Sequence, residues 1–201
     1  MSTGEVQEPT LLNRVRRGVS RYFLGPIVPV LIASRLTPNQ VTLIGLAIVL
    51  GGAAAVGMGL LFLGGVLVLL GSAFDMFDGA LARATQRASK KGAFLDSNLD
   101  RVSEIAVLLG ILVYAVRIGS GTEIILTFVA TAGSLMVSYV KARAEGLGYQ
   151  CDVGFFTRTE RVLLTAFALL IGQLLIPLWI LAVLTVLTAL HRFWDVWRRE
   201  V

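Results

Sequence analysis

VTLIGLAIVLGGAAAVGMGLLFLGGVLVLLGSAF, residues 41–74, carries no charged residue, and neither do the five positions before it. A helix crossing the hydrocarbon core of a membrane needs about 20 apolar residues. This stretch therefore holds two such helices, with Gly57-Met58-Gly59 as the turn between them. A second uncharged run, Val162 to Leu190, holds nearly two more. The whole chain of 201 residues is 56% hydrophobic and 15% charged, with mean hydropathy +0.79. A soluble domain carries roughly 25% charged residues, so this chain has too little polar surface to cover itself in water.

Working outward, the first helix runs from about Val41 to Val56 and the second from Leu60 to near Arg83. The third spans about Gly92 to Val116, the fourth Ile124 to Ala144, and the fifth starts near Thr159. Gln173 to Pro177 separates it from a sixth that ends near Trp194. Leu12, Val15, Val19 and Phe23 alternate with Arg14, Arg16, Arg17 and Arg21 at helical spacing, which predicts an amphipathic helix on the membrane surface, ended by Pro26 and Pro29. The expected fold is all-α and integral to the membrane: six transmembrane helices in residues 36–201, preceded by a cytoplasmic segment, 1–35, with that surface helix.

Of the 18 Lys and Arg residues, only Arg117 falls in a turn on the far side, so both termini are expected in the cytoplasm of a multi-pass cell-membrane protein. The net charge of +5 then reads as topology and contact with anionic headgroups rather than nucleic-acid binding. No signal-peptide core is visible in the first 35 residues. Cys151 and His191 are single, which excludes an intramolecular disulfide and a Cys or His metal cluster. Trp179, Trp194 and Trp197 read as interfacial anchors, His191 as a surface or interface residue, and Gly45, Gly51 and Gly52 as sites of close helix packing.

Against this apolar background, Asp75, Asp78, Asp96 and Asp100 stand out. Spacings of three and four put each pair on one helix face. At about 1.5 Å per residue, Asp75 and Asp78 lie roughly 22–27 Å along the second helix, and Asp96 and Asp100 roughly 6–12 Å into the third. Antiparallel neighbours thus bring four carboxylates to one depth near the cytoplasmic leaflet. Four ionised carboxylates there would repel and mostly neutralise; two divalent cations balance them. Oxygen-only ligands favour Mg²⁺ or Mn²⁺, and a two-metal carboxylate site suits in-line displacement at phosphorus. Gly79, Ala82 and Gly92 let a bulky group approach the backbone, and Arg83 is placed to meet a phosphate. Interhelical ion pairs, such as Asp100 or Glu104 with Arg101, are the bland alternative.

The ordered set Asp-x2-Asp-Gly-x2-Ala-Arg-x8-Gly-x3-Asp-x3-Asp, residues 75–100, resembles the motif of the CDP-alcohol phosphotransferases. The resemblance extends from Thr37-Pro38-Asn39 through the last helix. It implies a six-helix membrane enzyme, a homodimer, that cleaves the pyrophosphate of a CDP-linked lipid and releases CMP. It also implies that Asp75, Asp78 and Asp96 hold the metals, while Asp100 helps hold the second and takes the proton of the acceptor hydroxyl. Thr37, Pro38, Asn39, Gln40, Gly79, Arg83 and Ser89 match positions that contact the CDP-lipid.

The acceptor must be read elsewhere. Lys141, Arg161 and Arg192 come from three helices near the cytoplasmic end, either as a convergent cationic surface for a phosphate-bearing acceptor or as topological flanking charges. Ser138-Tyr-Val-Lys-Ala-Arg-Ala-Glu145 is similar to the inositol-phosphate branch of the family, and Cys151-Asp-Val-Gly154 to its archaeal, archaetidylinositol members. The resemblance therefore implies transfer of a phosphatidyl-type group to 1D-myo-inositol 3-phosphate, whose phosphate those three cations would hold. The rivals are a glycerol 3-phosphate acceptor, giving phosphatidylglycerophosphate, and a different class altogether, a cation-coupled transporter.

Overall fold

The computed structural model describes residues 27–199, so the surface helix expected at Leu11–Phe23 lies outside the described residues. Seven helices occur among those described: α1 (Ile27–Ala33), α2 (Pro38–Gly57), α3 (Leu61–Ala84), α4 (Lys90–Arg117), α5 (Gly121–Gly146), α6 (Arg158–Ile171) and α7 (Leu175–Arg198). The six from α2 onward correspond to the six expected from hydropathy.

Pro29 sits in the first turn of α1, where the backbone N–H it lacks would have no partner anyway. Pro177 likewise lies inside the first turn of α7. The break between the last two helices is made instead by Gly172, whose left-handed backbone (φ 68°) closes α6.

Four helices, α2, α3, α5 and α7, are long and apolar enough to cross a membrane. The 28 residues of α4 are long enough, but its first half carries Lys90, Lys91, Asp96, Asp100, Arg101 and Glu104. The 14 residues of α6 reach only about 21 Å at 1.5 Å per residue.

Small residues set the packing. Helix α2 lies against α3 and α4, α3 against α6, and α5 against α7. A Cβ on Gly71 would run into Val49 and the Gly45 carbonyl, and one on Gly64 into Val56 and the Gly52 carbonyl. The α2–α3 backbones therefore touch along Gly45/Gly71 and Gly52/Gly64, as expected of Gly45 and Gly52. Gly51 differs: nothing lies within 4 Å of its would-be Cβ, so it has no packing role. Val49, Val68, Leu108, Ile111, Leu169 and Leu178 fill the centre, while Leu50, Phe62, Leu109, Phe128, Phe167 and Ile176 face outward. An apolar outer belt suits hydrocarbon as the surrounding solvent. Trp179 and the pair Trp194 and Trp197 occupy opposite ends of α7, all half-exposed.

Candidate active site

The aspartates meet at one end of the bundle because α3 ends, and α4 begins, there. Three of them take a protein partner. Asp78, only 5% exposed, accepts a hydrogen bond from the Thr42 hydroxyl on α2. Asp75 and Asp100 are bridged by Arg158 at the head of α6, with Nη2 2.6 Å from Asp75 Oδ2 and Nη1 2.7 Å from Asp100 Oδ1. Arg101, the next residue on the same helix, adds a longer contact to Asp100, 3.6 Å. With those carboxylates turned to Thr42 and Arg158, no three His, Cys, Asp or Glu side chains among the described residues form a metal-holding group as they stand. The sequence expectation of two ions thus meets a site in which one arginine already pairs with two of the four acids, offsetting one of their two charges. The donor set still fits hard cations: all oxygen, on facing turns, with a guanidinium standing where positive charge is demanded.

Beside Asp78 and Asp96 opens a cavity of about 200 Å³. Pro38, Asn39, Gly79, Arg83 and Ser89, all expected at the CDP-lipid site, line it, together with Thr42, Ala82, Arg87 and Gly92. Thr37 and Gln40 do not. Thr37 caps α2, accepting from the Gln40 N–H while its own N–H donates to Gln40 Oε1 at 2.9 Å. Their work is to start the helix that carries Asn39 and Thr42. Ser89 caps α4, accepting from the Gly92 N–H at 3.1 Å, and so fixes the turn that delivers Asp96.

The three expected acceptor cations converge on one short stretch of protein. Lys141 lies 3.4 Å from Asp152 and 3.5 Å from Glu145. Arg192 donates to the Val153 and Val137 carbonyls, both at 2.8 Å. Arg161, 2% exposed, grips Glu104 through Nε (2.6 Å) and Nη2 (2.9 Å) and donates to the Phe156 carbonyl. All three therefore hold the segment 152–156 between α5 and α6. The two buried guanidinium groups need partners, and the loop and Glu104 supply them, while Lys141 also lines a cavity of about 500 Å³ with Arg101, Ser138 and Tyr139. His191, exposed, stacks on Phe155 of the same loop.

Sequence reasoning gave no site role to Thr42, Glu104, Arg87 or Arg158. Two signals were present. Arg158 and Arg161 are three apart, matching the four-residue step from Asp100 to Glu104, and Thr42 follows Pro38 by one turn.

Residues 35–194 match the sequence pattern of the CDP-alcohol phosphatidyltransferase family. The chain belongs to that family. This CDP-alcohol phosphatidyltransferase is 36% identical over 184 residues to the archaetidylinositol phosphate synthase of Methanothermobacter thermautotrophicus, covering 92% of this chain and 90% of that one. It is 35% identical over 183 residues to the phosphatidylinositol phosphate synthase of Mycobacterium tuberculosis, covering 86% and 84%. A solved structure of the latter with CDP-DAG bound superposes with TM-score 0.81 at 35% identity, covering 86% of this chain and 92% of that one. Another, in complex with manganese and citrate, gives TM-score 0.80 at 34% identity over 86% and 88%. Membership of the CDP-alcohol phosphatidyltransferases sets aside the transporter reading of the aspartates.

Proposed function

We propose that this phosphatidyltransferase moves a phosphatidyl-type group from a CDP-linked lipid to inositol phosphate, releasing CMP. The observation that carries it is the cavity between Asn39, Gly79, Arg83 and Ser89, which Asp78 and Asp96 also line. The similar proteins named for inositol-phosphate lipids, one solved with CDP-DAG and with manganese, support both donor and acceptor.

Asp75, Asp78, Asp96 and Asp100 would hold divalent cations, which when bound neutralise the donor's pyrophosphate. The chain's own residues do the rest. Arg83 pairs with a donor phosphate, and Gly79 and Gly92 leave room for it against the helix backbones. Thr42 holds one oxygen of Asp78 and so fixes that carboxylate at the cavity wall. Asp100, one turn along α4 from Asp96, takes the proton of the acceptor hydroxyl. Lys141 is the most accessible of the three acceptor cations, and the acceptor phosphate replaces Asp152 on it. Arg161 and Arg192 hold the loop that walls this side and lend it positive charge.

Our reading is of a multi-pass membrane enzyme with six spans and both termini cytoplasmic, acting as a homodimer; the run of apolar helices supports the membrane part of it. The short α6 and the charged head of α4 lie at the site's end of the bundle, where water and a soluble acceptor enter. The test is CMP release by purified full-length protein offered inositol phosphate, glycerol 3-phosphate, serine and free inositol in turn. Turnover with inositol phosphate is expected; turnover with glycerol 3-phosphate alone overturns the acceptor.

A further inference from the structure

Arg158 grips Asp75 and Asp100 by its two tips, while its Nε is enclosed without a partner. Nothing else among the hydrogen bonds and ion pairs of the described residues anchors the guanidinium. Arg161, one turn further along α6, contrasts with it: Glu104 and the Phe156 carbonyl hold that group from two sides. The Arg158 side chain remains 25% exposed. It also borders a second, wider cavity of about 720 Å³, lined by Ser72, Asp75, Met76, Thr157, Thr159 and Glu160. The group thus has somewhere to go.

A carboxylate oxygen that accepts from a guanidinium N–H has that lone pair engaged, and a guanidinium and a divalent cation crowd each other on one carboxylate. We propose that Arg158 is an exchangeable countercharge: it competes with divalent cations for Asp75 and Asp100 and, when displaced, turns into the adjoining cavity beside Thr159. The inference rests on the aspartates being metal ligands, and its test is built to tell the two apart. Arg158 acts here through the carboxylates it covers, as a positioning residue.

Full-length protein in detergent micelles is titrated with Mn²⁺, and free Mn²⁺ is read by electron paramagnetic resonance. Arg158→Gln should bind Mn²⁺ at least about tenfold more tightly than the parent chain, whereas Arg158→Lys, which keeps a competing charge, should stay close to it. In the unmodified chain, Mn²⁺ should speed phenylglyoxal labelling of Arg158, followed by mass spectrometry, and leave the enclosed Arg161 slow. This second readout decides the matter if the variants fail to fold. Mn²⁺ binding of equal strength in the parent and in Arg158→Gln, or labelling of Arg158 that bound Mn²⁺ does not change, overturns the exchange while leaving the metal reading intact. Should the parent not bind Mn²⁺ at all, or Asp75→Asn and Asp100→Asn bind it undiminished, the metal reading fails and the exchange falls with it.

Discussion

Glu104 and Arg161 form a two-pronged ion pair, at 2.6 and 2.9 Å, with the guanidinium almost wholly withdrawn from solvent. It joins α4 to α6 directly beyond Asp100, so the stripe Asp96, Asp100, Glu104 on one helix faces Arg158 and Arg161 on the other. The two arginines differ in burial: Arg161 is 2% exposed and Arg158 25%.

Removing one partner of a buried pair strands the other, at a cost of about 3–5 kcal/mol. Glu104→Gln should therefore lower thermal stability in detergent by about that much. Glu104→Leu combined with Arg161→Met should recover most of it, because an apolar replacement strands nothing. A single variant as stable as the parent would show the pair to be solvated.

The α2–α3 contact makes a packing prediction. Gly71→Ala pushes a methyl into Val49 and the Gly45 carbonyl, and overpacking of this kind costs about 1–3 kcal/mol. Gly51→Ala, with open space around it, should be neutral or gain about 0.5–1 kcal/mol from the lost flexibility of glycine. Unfolding midpoints of the two variants measured side by side check the order.

Chemistry at the aspartates is tested by Asp100→Asn. Losing a positioned proton acceptor lowers rates by about 10²–10⁴-fold, so CMP release should fall by that range while CDP-lipid still binds. Thr42→Val should act more mildly, since Asp78 keeps its carboxylate and loses only a hydrogen bond worth about 1.5–3 kcal/mol to a charged group. Chelation with EDTA should abolish CMP release in every active variant, and normal turnover after exhaustive chelation would remove the cations from the mechanism.

For the acceptor, Lys141→Gln is the clean probe, because Lys141 is 37% exposed and its partners Asp152 and Glu145 are more exposed still. The KM for inositol phosphate should rise several-fold with the donor KM unchanged. Arg161→Gln is a poor probe of the same idea, since it also strands Glu104. An unmoved acceptor KM in Lys141→Gln takes this residue out of the pocket.

Cys151 is fully buried in the loop between α5 and α6, and burial pushes its thiol above the ordinary range despite the nearby Arg192. The reactive thiolate is thereby scarce at neutral pH. The folded chain should resist maleimide for hours at pH 7 and react only as the loop opens in denaturant; fast labelling in the native state would mean that the loop is open.

Much of the molecule is readable from one dimension. Hydropathy marks the helices to within a few residues, because partition into lipid depends on local composition, and the motif at 75–100 marks the acids, because their helical spacing is local too. Pro38, Asn39, Gly79, Arg83 and Ser89, grouped by the motif, do line one cavity. Thr37 and Gln40 form a capping box outside that wall, and the motif could not show this, since a capping box and a ligand site ask for the same polar residues. The positive charges were harder. Lys141, Arg161 and Arg192 were recognisable as a group, but not that they close on residues 152–156.

What the sequence alone determined is that this chain partitions into a membrane as helices and carries acids at a shared depth; both follow from residue type and a 3.6-residue period. Which cation meets which acid was decided only in three dimensions. Arg158 and Asp75 are 83 positions apart, and Arg161 and Glu104 57. Such partners are chosen by how glycine-faced helices pack and by the demand that a charge withdrawn from water find its opposite.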